Sequence, residues 1–168
     1  MKNIFITLCL LFGGVMFITS CGDDDAFCID NVTHSATLVD IYDVTVELPT
    51  GVTYSGGGLS NHSLQIGDYN MVLDIVTLEV VAHETSGDFT LLHYFRDQAG
   101  NSFWSIDEIT LSNIGEVGKA TGQATLNINN GRGDFECPTG DLLIEYSSDF
   151  ENEKTTFTIA GKVCGGCE

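Results

Sequence analysis

The chain has 168 residues, a formal net charge of −18 and only 6 basic side chains. That length allows one domain of ordinary size with a real core. A surface so acidic repels polyanions, which argues against nucleic acid and anionic lipid headgroups as partners.

Lys2 opens a short positive segment, and IFITLCLLFGGVMFI (4–18) is then almost wholly apolar. Fifteen residues fall short of the roughly 20 that span a bilayer. A basic start, a short apolar stretch and small residues at its exit describe a secretory signal. The exit reads Ile18-Thr19-Ser20-Cys21, and Gly22-Asp23-Asp24-Asp25 follows. Three adjacent carboxylates repel one another and stay solvated, so they favour an extended tether.

ITSC resembles the lipobox of bacterial lipoproteins, with Ile18 where leucine is commoner. GDDD resembles the acidic stretch that follows the lipid cysteine in surface-exported lipoproteins of the Bacteroidota type. The resemblance covers the first 25 residues. It implies that Cys21 carries acyl chains, that residues 1–20 are a cleaved signal, and that 21–27 form a lipidated acidic tether. It also implies lipid anchoring in the outer membrane with the domain facing the cell surface, or alternatively the periplasm. Each buried methylene adds about 0.8 kcal/mol, and two or more chains make such anchoring stable.

Residues 28–168 form the expected domain. Its cysteines are Cys28, Cys137, Cys164 and Cys167, the last two in CGGC. An even number in an exported chain reads as two disulfides, with Cys164 and Cys167 reaching back to Cys28 and Cys137. A second CxxC that would complete a zinc site is missing, and no helix follows CGGC to activate a redox thiol.

Alternation with period two runs through most of this domain, and no segment carries a helical period. Val44, Val46 and Leu48 share one face of TLVDIYDVTVELP (37–49). The Gly- and Ser-rich stretch 50–61 reads as a flexible loop around one short strand. YNMVLDIVTLEVVA (69–82) is apolar on both faces and reads as a central strand covered on two sides. DFTLLHYF, RDQAGN and SFWS (88–105) read as a hairpin, with Gly100 and Asn101 suited to its turn. In 119–129, Ala120, Ala124, Leu126 and Ile128 point one way. Thr121, Gln123, Thr125, Asn127 and Asn129 point the other. Leu142, Ile144 and Tyr146 form another apolar set, and Phe157, Ile159 and Val163 the last. Eight or more short strands without a helix predict an all-β domain. The expected form is a single antiparallel β-sandwich, immunoglobulin-like or jelly-roll-like, with a calycin- or lipocalin-like antiparallel barrel as the alternative. YFRDQAGNS (94–102) resembles the D-x-A-G-N turn of bacterial immunoglobulin-like sandwich modules, which adds to the sandwich reading.

Catalytic signatures are sparse. His34, His62, His83 and His93 show no ligand spacing such as HExxH, and there is no G-x-S-x-G elbow. No cofactor is expected. Asp97 and Asn101 in one loop, and Asp149 and Glu151 in another, offer hard oxygen atoms for calcium, but neither loop has an EF-hand spacing and both read first as solvated turns. Arg132-Gly133-Asp134 reads as a chance tripeptide in a turn. Thr121, Gln123, Thr125 and Asn127 form a polar ladder that could bond sugar hydroxyls, with Trp104 as a stacking ring. The expectation is a non-enzymatic binding or scaffolding lipoprotein, taking a surface glycan or an envelope protein. A barrel carrying a small apolar ligand and a cell-envelope hydrolase are the alternatives.

Replacing Cys21 with serine should move the protein from the membrane fraction to the soluble fraction. Unchanged membrane association would remove the anchor.

Overall fold

The computed structural model describes residues 27–39, 42–113, 118–149, 151–152 and 154–167. The expected signal, Cys21 and the aspartates of the tether lie outside these residues. The alternating segments become ten strands: β1 (Phe27–Val39), β2 (Tyr42–Glu47), β3 (Thr53–Ile66), β4 (Tyr69–Ala82), β5 (Ser86–Arg96), β6 (Ser102–Ser112), β7 (Lys119–Asn127), β8 (Asn130–Arg132), β9 (Thr139–Asp149) and β10 (Lys154–Gly165). One 3-10 turn, Gly133–Phe135, lies between β8 and β9. The all-β antiparallel reading therefore holds. All strands belong to a single sheet ordered β1-β10-β9-β7-β6-β5-β4-β3-β2, with the short β8 paired to β6.

This sheet curls into a half-barrel and its concave face is filled. Leu64, Ile66, Met71, Leu73, Phe95, Phe103, Leu126, Leu142, Ile144, Phe157 and Ile159 lie in one buried cluster. They come from β3, β4, β5, β6, β7, β9 and β10, so opposite parts of the sheet pack on each other. Burying each large apolar side chain contributes about 1.5–3 kcal/mol. Phe103 stacks on Phe95 with centroids 4.6 Å apart and meets Phe135 at 4.9 Å. Phe135 in turn meets Tyr69 at 5.0 Å and Phe27 at 5.4 Å. These rings close one end of the curl.

The expected central strand is β4. Met71, Leu73 and Ile75 enter the concave core, while Val76 joins a second cluster on the convex side with Val44, Val46, Leu48, Leu92, Tyr94 and Trp104. Cover on both sides stops before the end of β4, where Val80 and Val81 are exposed.

The stretch 50–61 departs from expectation: most of it is the first half of β3. Gly56 and Gly58 run so close to β4 that a Cβ on either would strike the carbonyl oxygen of Thr77 or Ile75. The glycines serve close backbone approach rather than looseness. The register slips between Leu59 and His62, a bulge that bends a strand. Asn61, at the bulge, has φ of 58°. Buried Asp74 secures it, accepting from the Asn61 amide at 2.8 Å, from Ser60 Oγ at 3.0 Å and from Arg96 Nε at 3.0 Å. β2, paired to this half of β3, thereby brings its valines onto the convex face.

Cys28 bonds Cys164 and Cys137 bonds Cys167. The pairing follows the expectation, with β1 held to β10 and the β8–β9 connection held to the segment after β10. The sequence separations are 136 and 30. Loop-closure entropy makes these bonds worth at most roughly 5 and roughly 4 kcal/mol. Peptide mass spectrometry without reduction should recover both pairs. Denaturant unfolding should show a larger loss for Cys28→Ala/Cys164→Ala than for Cys137→Ala/Cys167→Ala; the reverse order would contradict the entropic account.

Candidate functional site

The polar ladder is one column of a wider array. Thr121 and Gln123 of β7 lie opposite Ser147 and Glu145 of β9. Those two lie opposite Thr156 and Thr158 of β10, which face Thr37 and Ser35 of β1. The convex face of four strands therefore carries aligned rows of hydroxyl, amide and carboxylate groups. Thr37 Oγ1 and Thr156 Oγ1 are 3.0 Å apart, and Thr158 Oγ1 donates to Glu145 Oε2 at 3.1 Å. A shallow groove of about 480 Å³ runs between Thr121, Gln123, Glu145, Ser147, Thr156 and Thr158. Thr125 and Asn127 continue the β7 column, with Leu143 and Asp141 opposite.

Trp104 does not join this surface. It is 7% exposed, packed beneath β2 in the convex cluster and edge-on to Tyr94. The expected stacking ring is covered by β2, whose Val44 and Val46 pack in the same cluster. The ladder therefore presents hydrogen-bonding groups without Trp104 as a stacking ring.

The two acidic loops use their carboxylates locally. Asp97 accepts from the Asn101 amide at 2.9 Å and from Asn101 Nδ2 at 2.8 Å. Asp149 accepts from the Asn152 amide at 3.2 Å and from Asn152 Nδ2 at 2.9 Å. The bond from the Asn152 side chain leads the interactions that hold the Asp149 carboxyl below its usual range. Glu151 lies exposed beside it. Among the described residues no three His, Cys, Asp or Glu side chains converge as a metal cluster. In the 132–134 tripeptide, Asp134 is engaged: its carboxylate accepts from Tyr69 and its amide donates to Asn101.

A second polar cluster lies inside the curl. β6 and β7 share one register pair, Ser112 with Thr121, and β8 covers the other end of β6. Between them Asp107 Oδ1 accepts from the Asn127 amide at 3.2 Å. Behind it His93 Nδ1 is 3.5 Å from Asp107 Oδ2, and His93 Nε2 is 2.7 Å from Tyr146 Oη. Burial pushes the Tyr146 hydroxyl far up, with the Asp107 charge adding to it. Tyr146 therefore stays protonated and shares a hydrogen bond with His93, whose other nitrogen faces Asp107. Burial raises the Asp107 carboxyl, but contacts with His93, Ser105 and the Asn127 amide outweigh it, and the carboxyl titrates below its ordinary value. His93 is 1% exposed, Tyr146 8% and Asp107 9%, which leaves this chain of groups little access to a substrate.

His34 and His62, distant in sequence, meet with their Nε2 atoms 2.8 Å apart. No spacing motif could have found them, because they come from the two strands that the curl brings together. Burial lowers both pKa values, and in His62 the neighbouring His34 charge adds to this. His83 instead contacts Asp88 at 2.7 Å on the rim.

No family model, curated protein or solved structure matches the chain.

Asp107→Asn should cost about 1–3 kcal/mol at neutral pH, because it weakens charge-assisted bonds in a buried place. A carboxyl depressed in the folded state stabilises above its unfolded pKa and loses that contribution as pH falls through the folded value. The native chain should therefore lose more stability than the variant when pH drops below 3.8. Chemical unfolding at both pH values measures this, and equal losses would contradict the assignment.

Proposed function

We propose that the chain is a lipoprotein anchored through Cys21 in the outer membrane, facing the cell surface, and that its β-domain is a non-enzymatic binding module for extended glycans. The observation that carries this reading is the groove along Thr121, Gln123, Glu145, Ser147, Thr156 and Thr158. Amide, hydroxyl and carboxylate groups at strand spacing offer a repeating set of donors and acceptors. A polysaccharide presents hydroxyls in a comparable repeat. The net charge of −18 disfavours uronic-acid-rich or sulphated chains, so the ligand is a neutral glycan.

The rival readings fit less well. A carrier of a small apolar ligand needs an empty interior, whereas Phe95, Phe103, Phe135 and Phe157 fill this one. A hydrolase needs its carboxylates and base within reach of substrate, whereas Asp107, His93 and Tyr146 lie within the core.

A glycan array probed with the mature chain should show binding to neutral polysaccharides. Gln123→Ala and Glu145→Ala should each weaken it by about tenfold, the loss of one or two hydrogen bonds. No glycan signal, or a signal untouched by both substitutions, would overturn the reading.

A further inference from the structure

β1 and β3 are not hydrogen-bonded neighbours in the sheet. The curl nevertheless brings them together, and His34 and His62 face each other across the gap. His34 lies opposite Ile159 of β10, and His62 opposite Leu73 of β4. Both partners are core residues, so both imidazoles come from the concave side of their strands. Phe157 supports the pair, with ring centroids 5.9 Å from His34 and 5.3 Å from His62. The two imidazole rings stand 60° apart in plane, with centroids 5.0 Å apart.

We propose that His34 and His62 form a two-imidazole site for a divalent transition metal, copper(II) first, which clasps β1 to β3. In the structure the two rings share an Nε2···Nε2 hydrogen bond, one donating to the other, and a metal ion would take the place of its proton. Two nitrogens bound at ~2.0 Å and at right angles are ~2.8 Å apart, the cis arrangement of a square-planar ion. The observed Nε2 separation is 2.8 Å. A tetrahedral zinc ion needs ~3.3 Å, so the rings would have to spread. Copper(II) also stands highest among the divalent first-row ions in affinity for nitrogen ligands. Binding requires both Nε2 atoms unprotonated, with the remaining ring proton on each Nδ1.

Two protein ligands leave open positions for water. His34 borders a groove of about 870 Å³ that also holds Asp68 and Asp97 at its margin. Those carboxylates would draw cations toward the opening. The other two histidines have different partners: His83 is engaged by Asp88 and His93 by Tyr146. The site does not depend on the glycan reading, because it lies on the concave side of the sheet.

The test titrates the full chain, without added histidines, with copper(II) against glycine as a weak competing chelator. Electron paramagnetic resonance reads the ligands. The expected result is one equivalent bound, with coupling to two imidazole nitrogens, and a higher melting temperature that follows free copper concentration. His34→Gln and His62→Gln should each weaken binding by at least about tenfold, and His83→Gln should leave it unchanged. Affinity unaffected in both His34→Gln and His62→Gln would overturn the proposal. So would a native-chain spectrum without two coupled imidazole nitrogens, a readout that stands even where a variant fails to fold.

Discussion

The described residues form strands and one short 3-10 turn, so among them only the sheet itself can cover an apolar face. It does so by curling, and most other features answer a demand that curling makes. Opposite strands must meet, so Leu73 and Ile75 on one side find Ile144 and Phe157 within the same cluster. The ends of the curl need closing, which the rings of Phe27, Tyr69 and Phe135 do at one of them. Where neighbouring strands part, as β6 and β7 do, a side chain must satisfy a backbone group. Asp107 does this for Asn127, at the cost of a buried charge that brings His93 and Tyr146 with it.

The convex side follows from the same geometry. A strongly bent sheet exposes its back, and half of that back is apolar. β2 covers that half, carried there by the bulge near Asn61 and by two glycines that let β3 lie against β4. The other half, from β7 to β1, is polar and stays open. Shielded apolar surface and accessible polar surface are thus two regions of a single sheet face. The accessible one holds the groove proposed for glycans.

Much of this was legible in the residues. The alternation in 119–129 assigned both faces of β7 correctly, because a half-buried strand writes its two environments into successive positions. The apolar run of 69–82 announced cover on both sides for the same reason. Two bonds from CGGC back to Cys28 and Cys137 were within reach, but not which partner each cysteine takes, because Cys164 and Cys167 lie too close together in sequence to be told apart. Composition misled at 50–61, where Gly and Ser signified close packing instead of a loop. Trp104 was misplaced because its cover comes from β2, 57 or more residues earlier. The convergence of Glu145, Ser147, Thr156 and Thr158 on the ladder depends on register between strands. His34 and His62 depend on the curl itself. Neither register nor curvature has a local signature.

The bond between Cys28 and Cys164 acquires another meaning if Cys21 is the point of attachment. Drag on the domain would then pull on the chain from its tether and enter the fold at the first residues of β1. Strands under such tension unzip one ladder pair at a time, beginning where the pull is applied. Here the second described residue is already welded to β10. Force arriving that way would pass sideways through a covalent link before it reached most of the β1 ladder. The fold would then be shielded against peeling from the tethered end.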